Sequence, residues 1–493
     1  MPENGSDPDA PWRCPNDVED ETPSPQEKSA AGKHKAAHRP TLIHALPPEL
    51  LEIIFQHAVG DRPLGLVRDD HPVWTLLETC RLWHDVARDL HALWTRIDTA
   101  KISKSAFSFV ALTDEKMDEI CTLLKSYLVY SHDQPLHLQL ELRSDPRWTH
   151  VLDILWEHRH RWATVDCAGG SLEGIAEVLA KGDASGLPAL RRLRWDTLFS
   201  DAIPSPLRFV PAPKLRSLTL GGGVRPSRLS LPWSQITHYT GPGISCRNTL
   251  ILSLMDRLEV CVLQGNGRRH GTEDLSVHVL PRLRALGLAW HHPQSCLPYI
   301  EAPAVRKVLV DAPEFTLPGA LFSFLQRSGG ASLATLSMYY DVSPVSTYNI
   351  IQACPNLRTL ILRQSPEFAV DDSVVHLFTL LTSPRPALLT QLAVLKIAPA
   401  PVLSDEDEEE EIERAMHLAK YLAALRPRRL QAVHLYVGDV RGTRLLLGER
   451  YKELTADANI TVHATAHLHS ADDFEELVRA VFYPNYVGIA DWH

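Results

Sequence analysis

Clustered histidines are the side chains of this sequence that could bind a metal ion. The chain has 24 histidines. The clusters are His158 with His160, His291 with His292, and His463 with His467 and His469. His467 and His469 have the spacing of neighbours on one face of a strand. No third ligand with the spacing of a known zinc site accompanies them, so we expect no metal site.

The sequence also lacks the short motifs of nucleotide-binding proteins and hydrolases. It has no Gly-x-Gly-x-x-Gly after a predicted strand, no Gly-x-x-x-x-Gly-Lys-Ser/Thr and no Gly-x-Ser-x-Gly. Glycines 221–223 follow a predicted strand, but without a Lys-Ser/Thr pair or a clear helix start they indicate a turn. No serine or cysteine can be paired with a histidine from spacing alone. We expect a protein that is not an enzyme and needs no cofactor.

Charge and cysteine content narrow the classes of partner and compartment. The formal net charge of −10 argues against a general nucleic-acid binder, although a local basic strip is compatible with it. The eight cysteines are scattered without a Cys-x-x-Cys pair, which favours reduced thiols in the cytoplasm or nucleus. The amino terminus is polar and acidic, and no apolar stretch is long enough to span a membrane. We expect neither a nucleic-acid nor a membrane partner.

A repeated apolar spacing runs through most of the chain and sets where any binding residues must lie. Each copy has an apolar residue, a second three residues later and usually a third after two more, and most copies recur about every 25 residues. The copies begin at Trp162, Leu190, Leu215, Ile236, Leu258, Leu283, Val305, Leu333, Leu357 and Leu392, with a further copy at Leu430. This period predicts a solenoid, whose long surface suits the binding of another macromolecule.

The expected fold class is α/β, with a small helical unit followed by an irregular repeat domain that has a curved parallel sheet. Residues 1–40 lack apolar periodicity and predict a disordered tail. Residues 41–100 predict short amphipathic helices. Residues 101–470 predict the repeat domain, which begins with an alternating strand near 135–142 and contains an acidic loop at 403–413. Residues 471–493 predict a capping helix and tail.

Residues 46–94 resemble the F-box family. The resemblance rests on the Leu-Pro start, an apolar helix, a loop, a Cys-x-x-Trp pair and a trailing Leu-Trp in the family's order. The matching residues are Leu46-Pro47, Glu49-Leu50-Leu51, Ile54-Phe55, Cys80-Arg81, Trp83, Asp85-Val86-Ala87 and Leu93-Trp94. The long loop at 60–72 and Thr79 before the cysteine resemble the fungal F-box-like subgroup. An F-box followed by leucine-rich-like repeats is a familiar arrangement of that family.

The resemblance implies a substrate receptor of an SCF-type cullin-RING ubiquitin ligase. Its F-box would bind a Skp-type adaptor and, through it, cullin, and the chain would be a monomer within this hetero-complex. A small helical unit cannot bury this many large apolar side chains internally, so some should face a partner. Trp94 is expected inside the unit. The candidate adaptor-binding residues are Leu46, Pro47, Leu50, Leu51, Ile54, Cys80 and Trp83.

The repeat domain would then hold an unknown protein substrate. Because side chains alternate along a strand, the residues between and after the apolar positions are expected to face outward. The candidate substrate-binding residues are Arg194, Asp196, Gln264, Asp311, Tyr339, Arg363, Lys396 and Tyr436. Their mixture of polar, charged and aromatic types is typical of a protein-binding face.

Two alternatives stay open from the sequence. The chief one is a repeat-protein scaffold that acts outside ubiquitination, and the remoter one is an enzyme with an unrecognised pocket. The acidic run at 405–413 either attracts a basic partner or forms a solvated loop.

Overall fold

The protein has a mixed α/β fold with one large parallel sheet. The computed structural model describes residues 46–66, 71–99, 113–141, 147–168, 186–195, 207–208, 211–221, 224, 226, 229–242, 251–264, 277–289, 296–311, 317–339, 344–363, 391–398, 432–437 and 460–464. The predicted tail at 1–40, the acidic loop at 403–413 and the capping helix at 471–493 lie outside these residues.

Three short helices come first. They are α1 (Pro48–Val59), α2 (Pro72–Thr79) and α3 (Arg81–Asp89), and a 3-10 turn follows at His91–Trp94. A proline begins both α1 and α2, where the missing N–H costs no helical hydrogen bond. Cys80 has an extended backbone, so the second helix expected from the sequence is split in two at this residue.

One face of α1 packs inside the helical unit. Leu51, Phe55 and Val59 follow each other at intervals of four, and all three are buried. The ring of Phe55 lies edge-on to that of Trp83 on α3, with 5.0 Å between centroids. The helix ends at Gly60, whose positive φ of 59° suits glycine, and the Gly60 N–H donates to the Gln56 carbonyl at 2.8 Å.

The expectation that Trp94 packs inside the unit is confirmed. Its side chain is fully buried, and Nε1 donates a hydrogen bond to the Ala87 carbonyl at 3.0 Å. The Trp94 ring also lies beside Tyr127 of helix α4 (Asp114–Tyr130), with 5.8 Å between centroids. The hydroxyl of Tyr127 donates to the Gly65 carbonyl at 2.9 Å. These contacts join the three helices to the elements that follow.

Nineteen strands are described. The first ten are β1 (Leu64–Gly65), β2 (Arg96–Asp98), β3 (Leu136–Glu141), β4 (Trp162–Ala168), β5 (Arg192–Trp195), β6 (Leu207–Arg208), β7 (Ser217–Leu220), β8 (Leu229–Ser230), β9 (His238–Pro242) and β10 (Val260–Gln264). The others are β11 (His278–Val279), β12 (Ala285–Ala289), β13 (Ile300–Glu301), β14 (Lys307–Asp311), β15 (Thr335–Tyr339), β16 (Thr359–Arg363), β17 (Val394–Ala398), β18 (Ala432–Val437) and β19 (Ile460–Ala464).

Fifteen of these strands form the main sheet in the order of the chain. The order is β1-β2-β3-β4-β5-β7-β9-β10-β12-β14-β15-β16-β17-β18-β19. Two small pairs, β6 with β8 and β11 with β13, lie outside the main sheet. Every pairing of the main sheet is parallel. The strands expected from the apolar spacing are therefore confirmed, whereas β1 and β19 were not expected.

Parallel strands need crossovers, and helices provide several of them. Besides α4, these helices are α5 (Trp148–Glu157), α6 (Leu317–Arg327) and α7 (Pro344–Gln352). Helix α4 begins at a Thr113 cap whose side chain accepts a hydrogen bond from the Lys116 N–H. The crossover into β9 includes a 3-10 turn at Trp233–Gln235.

In the copies that begin at Trp162 to Leu357, the second and third residues line the main core, apart from Gly241. In β12, for example, Leu286 and Leu288 are buried in this core, and their neighbours in register on β14 are Val308 and Val310. Because each strand adds one layer to the stack, neighbouring copies bury each other's apolar side chains.

A continuous column of backbone hydrogen bonds joins the starts of the strands. In the main sheet from β5 to β17, the residue just before each strand donates its N–H to the carbonyl of the equivalent residue one copy earlier, with N···O distances of 2.8–2.9 Å. The first strand residue often donates to the same carbonyl. The column runs through Ala163, Arg191, Arg216, Thr237, Glu259, Arg284, Arg306, Ala334, Arg358 and Ala393. Successive residues of the column are thus about 5 Å apart, the distance between neighbouring strands.

Truncating one layer of the core should destabilise the whole stack. We expect Leu286→Ala and Leu360→Ala each to lower the free energy of unfolding by about 2–5 kcal/mol, because both side chains are fully buried. Leu254→Ala is the matched control, since Leu254 is half exposed. Urea unfolding followed by circular dichroism measures all three variants. Equal effects for buried and exposed leucines would contradict the assigned layers.

Candidate protein-binding surfaces

The outer side of α1 exposes large apolar side chains. Leu50, Ile53 and Ile54 are 46%, 52% and 39% exposed, and Leu82 on α3 is 37% exposed. We call Leu50, Ile53 and Ile54 the α1 apolar surface. The i, i+3 and i+4 spacing puts the three on one side of the helix, opposite the buried residues. An apolar helix face of this kind is a surface that a protein partner can cover.

The structure divides the predicted adaptor-binding residues into three groups. Pro47, Leu50 and Ile54 are exposed. Leu46, Cys80 and Trp83 are partly buried. Leu51 is fully buried.

The prediction for Leu51 is wrong. The side chain is fully buried because it shares the inward side of α1 with Phe55 and Val59. It therefore stabilises the helical unit and is not available to a partner.

Sequence reasoning missed two exposed apolar residues, Ile53 and Leu82. Helix α1 is apolar on both sides, so periodicity alone does not say which side is the core. In the structure the core side of α1 is the one that carries Leu51, Phe55 and Val59, which follow each other at intervals of four.

The indole of Trp83 lies between the core and this surface. Its ring contacts Phe55, and its Nε1 is buried without a hydrogen-bond partner in the described part of the chain. Leaving a buried donor unpaired costs about 1–3 kcal/mol.

The face of the sheet opposite the main core differs between its two halves. From β3 to β9 this outer face is polar and partly exposed, and neighbouring strands interact across it. Arg194 of β5 pairs with Asp166 of β4 at 3.7 Å, and His137 Nδ1 lies 2.9 Å from the Thr164 hydroxyl. Of the predicted substrate-binding residues, Arg194 is the one described in this half, where its side chain is partly exposed.

From β10 to β16 much of the outer face is apolar and buried, although Gln264, Lys307 and Asp311 stay partly exposed. A second apolar cluster forms there from Val260, Val262, Ala285, Ala289, Leu309 and Ile361. Strands of this half are buried on both faces, as in sheets covered on both sides. The residues between the apolar positions were expected to be open to a partner. In this cluster they are buried instead.

The prediction for Arg363 is also wrong, because its side chain is only 2% exposed. The guanidinium donates from Nη1 to Asp311 Oδ1 at 2.8 Å and from Nη2 to the Val310 carbonyl at 2.9 Å. Arg363 lies on β16 and Asp311 on β14, so the side chain reaches across β15. This pair stabilises the covered half of the sheet and is not an open contact point.

The remaining substrate candidates have different positions. Gln264, Asp311 and Lys396 are partly buried. Asp196 lies outside the described residues, and for Tyr339 and Tyr436 only the strand backbone is described. The structure thus places Asp311 and Arg363 in contact, and it does not assemble the predicted set into one open face.

Within the described ranges no group of three or more histidine, cysteine or acidic side chains could hold a metal ion. His158 and His160 lie with ring centroids 6.5 Å apart. His291, His292, His467 and His469 lie outside the described residues, as does the His463 side chain. No helix of the described part has the length and apolarity needed to cross a membrane.

Comparison with known proteins gave no relative. No protein-family model matches the chain, and no curated protein matches it significantly.

Breaking the buried ion pair should be costly. We expect Arg363→Ala to destabilise the protein by about 3–5 kcal/mol, because it leaves Asp311 without its partner in a mostly buried place. Arg358→Ala, five residues earlier and exposed, should change stability by less than about 0.5 kcal/mol. Chemical unfolding measures both. Similar small losses for the two variants would show that Arg363 is solvated.

Two partly buried histidines of the outer face should make stability depend on pH. Burial lowers the pKa of His137, with a smaller lowering from Arg96, and burial also lowers the pKa of His238. Below about pH 6.5 the unfolded chain binds protons that the folded chain does not. The free energy of unfolding should therefore fall as the pH drops below that value.

A substitution separates this effect from general acid destabilisation. His137→Gln should reduce the slope of stability against pH between about 6.5 and 5, since it removes one of the two groups. His57→Gln, at an exposed site on α1, is the matched control for the substitution itself. Urea titrations at a series of pH values measure the slope, and an unchanged slope for His137→Gln would refute the assignment.

Proposed function

We propose that this chain is the substrate-recognition subunit of an SCF-type cullin-RING ubiquitin ligase. In this proposal α1 to α3 are an F-box that binds a Skp-type adaptor, and the long parallel sheet belongs to a leucine-rich-repeat-like domain that holds the target protein. The observation that carries the proposal is the α1 apolar surface, at the residues where the F-box resemblance lies.

The energetics of this surface support a partner. Fully burying a leucine or isoleucine side chain contributes about 1.5–3 kcal/mol, and the helical unit leaves about half of three such side chains exposed on one helix, so part of this free energy is still to be gained. The unit does not need them for its own core, which Leu51, Phe55 and Trp94 already fill. A partner that covers the α1 apolar surface would gain this free energy.

The connection between the two parts supports the proposed mechanism. Strand β1 precedes α2 in the chain, and strand β2 follows α3. Both strands belong to the main sheet. Trp94 and Tyr127 pack across the junction. A partner bound on α1 and a target bound on the repeats would then be held at a set distance. The subunit would act by raising the effective concentration of target lysines near the ubiquitin-carrying enzyme.

The test is capture of the adaptor by the purified full chain. We expect Leu50→Asp/Ile54→Asp to weaken adaptor binding by at least about thirtyfold, because each exposed anchor would bring a desolvated charge into an apolar interface. Val129→Asp, on an exposed position of α4, is the matched control and should bind as the unmodified chain does. Surface plasmon resonance with a Skp-type adaptor measures the affinities.

The outcomes separate the proposal from its alternatives. Binding of adaptor and cullin together, lost in the double variant, would support the ligase subunit. Binding of the adaptor without cullin would favour a scaffold that acts outside ubiquitination. No binding of the unmodified chain to any Skp-type adaptor would refute the proposal.

A further inference from the structure

Half of the residues in the backbone hydrogen-bond column are arginines. Arg191, Arg216, Arg284, Arg306 and Arg358 each lie immediately before a strand of the main sheet, and all five are exposed. We call these five the arginine column. The hydrogen bonds give them equivalent backbone positions along one edge of the sheet, so their spacing is set by the stack of strands.

The fold does not require arginine at these places. Ala163, Ala334, Ala393, Thr237 and Glu259 occupy the same column and form the same backbone hydrogen bonds. The arginines therefore add nothing that the stack needs, and each brings an exposed positive charge close to the next.

None of the five arginines forms a salt bridge with an acidic side chain of the described residues. The two hydrogen bonds of the Arg216 guanidinium go to the carbonyls of Pro213 and Leu215. Glu259 is the acidic member of the column, and it separates Arg191 and Arg216 from the other three.

The strongest part of the column is its second group. Arg284 and Arg306 occupy successive positions, and Arg358 follows after Ala334, so three guanidinium groups start within about 15 Å of each other. The exposed Arg282 lies two residues before Arg284 and adds a fourth charge. A row of arginines is suited to carboxylates and phosphates, because guanidinium binds both through paired hydrogen bonds.

We propose that the arginine column binds an acidic segment of a partner protein. Between β10 and β16 much of the outer face behind the column is a buried apolar cluster, whereas Arg284, Arg306 and Arg358 at the strand starts are exposed. An acidic protein segment fits better than nucleic acid, since the chain as a whole has a net charge of −10 and would repel a long polyanion. The role of the arginine column as the target site of a ligase subunit rests on the proposed function. The binding of an acidic segment to the column does not depend on that function.

The test measures peptide binding to the purified full chain by fluorescence anisotropy. The probes are a labelled twelve-residue peptide of glutamate and serine, the same peptide with phosphoserine, a peptide with glutamine in place of glutamate, and a single-stranded RNA. We expect both acidic peptides to bind and the glutamine peptide not to bind. The affinity should fall as salt is added, because the contacts are exposed.

The decisive variant is Arg284→Gln/Arg306→Gln/Arg358→Gln, which should bind the acidic peptides at least about tenfold more weakly. The control with the same change of charge is Arg88→Gln/Lys116→Gln/Lys125→Gln, at exposed positions of α3 and α4, which should stay within about twofold. The corresponding triple Arg→Lys variant should lose less than the glutamine triple, because lysine keeps the charge. Thermal unfolding checks that each variant is folded.

Several results would overturn the proposal. They are equal losses for the column triple and the control triple, equal binding of the glutamate and glutamine peptides, and tighter binding of the RNA. If the glutamine triple does not fold, the single Arg306→Gln variant decides, with an expected loss of about two- to fivefold. Adaptor capture measured on the same variants should be unchanged, so failure of the column and failure of the ligase proposal are distinguished.

Discussion

The backbone hydrogen bonds between successive strand starts are the constraint on which the rest of the structure depends. Parallel strands can neighbour each other only if the chain returns after each one to the same edge of the sheet. In this protein the chain returns to an equivalent place from β5 to β17 of the main sheet. The N–H of the residue before each of these strands donates to the carbonyl of the equivalent residue in the preceding copy at 2.8–2.9 Å. The apolar layers and the arginine column both follow from this alignment.

The same alignment explains how two different surfaces occur on one sheet. Near its beginning the outer face has polar side chains that pair across strands, such as Arg194 with Asp166. Between β10 and β16 an apolar cluster is also buried on the outer face, and the Arg363 guanidinium there has a carboxylate and a carbonyl as partners. A charged side chain just before a strand lies outside this buried region. The exposed arginines of this half are found at such positions.

The helical unit obeys a different rule, since it is too small to bury all of its apolar residues. Helix α1 directs one series of side chains into the core and leaves another in water. The unit is fixed to the sheet by Trp94 and Tyr127, so a partner bound to α1 would have a defined position relative to the repeats. In the proposed ligase this fixed geometry, and no reactive side chain, is the contribution of the chain.

Residue types alone determined the repeat. An apolar residue, a second three later and a third two later define a strand with two buried side chains, and this local rule predicted the strands of the main sheet from β4 to β18. The tertiary structure alone decided which of the two apolar sides of α1 is buried, and so excluded Leu51 while adding Ile53 and Leu82. It also decided that Arg363 reaches Asp311 two strands away, because alternation along a strand says where a side chain points but not what covers that face. The five arginines stand in the printed sequence, yet only the hydrogen bonds between copies make them one column.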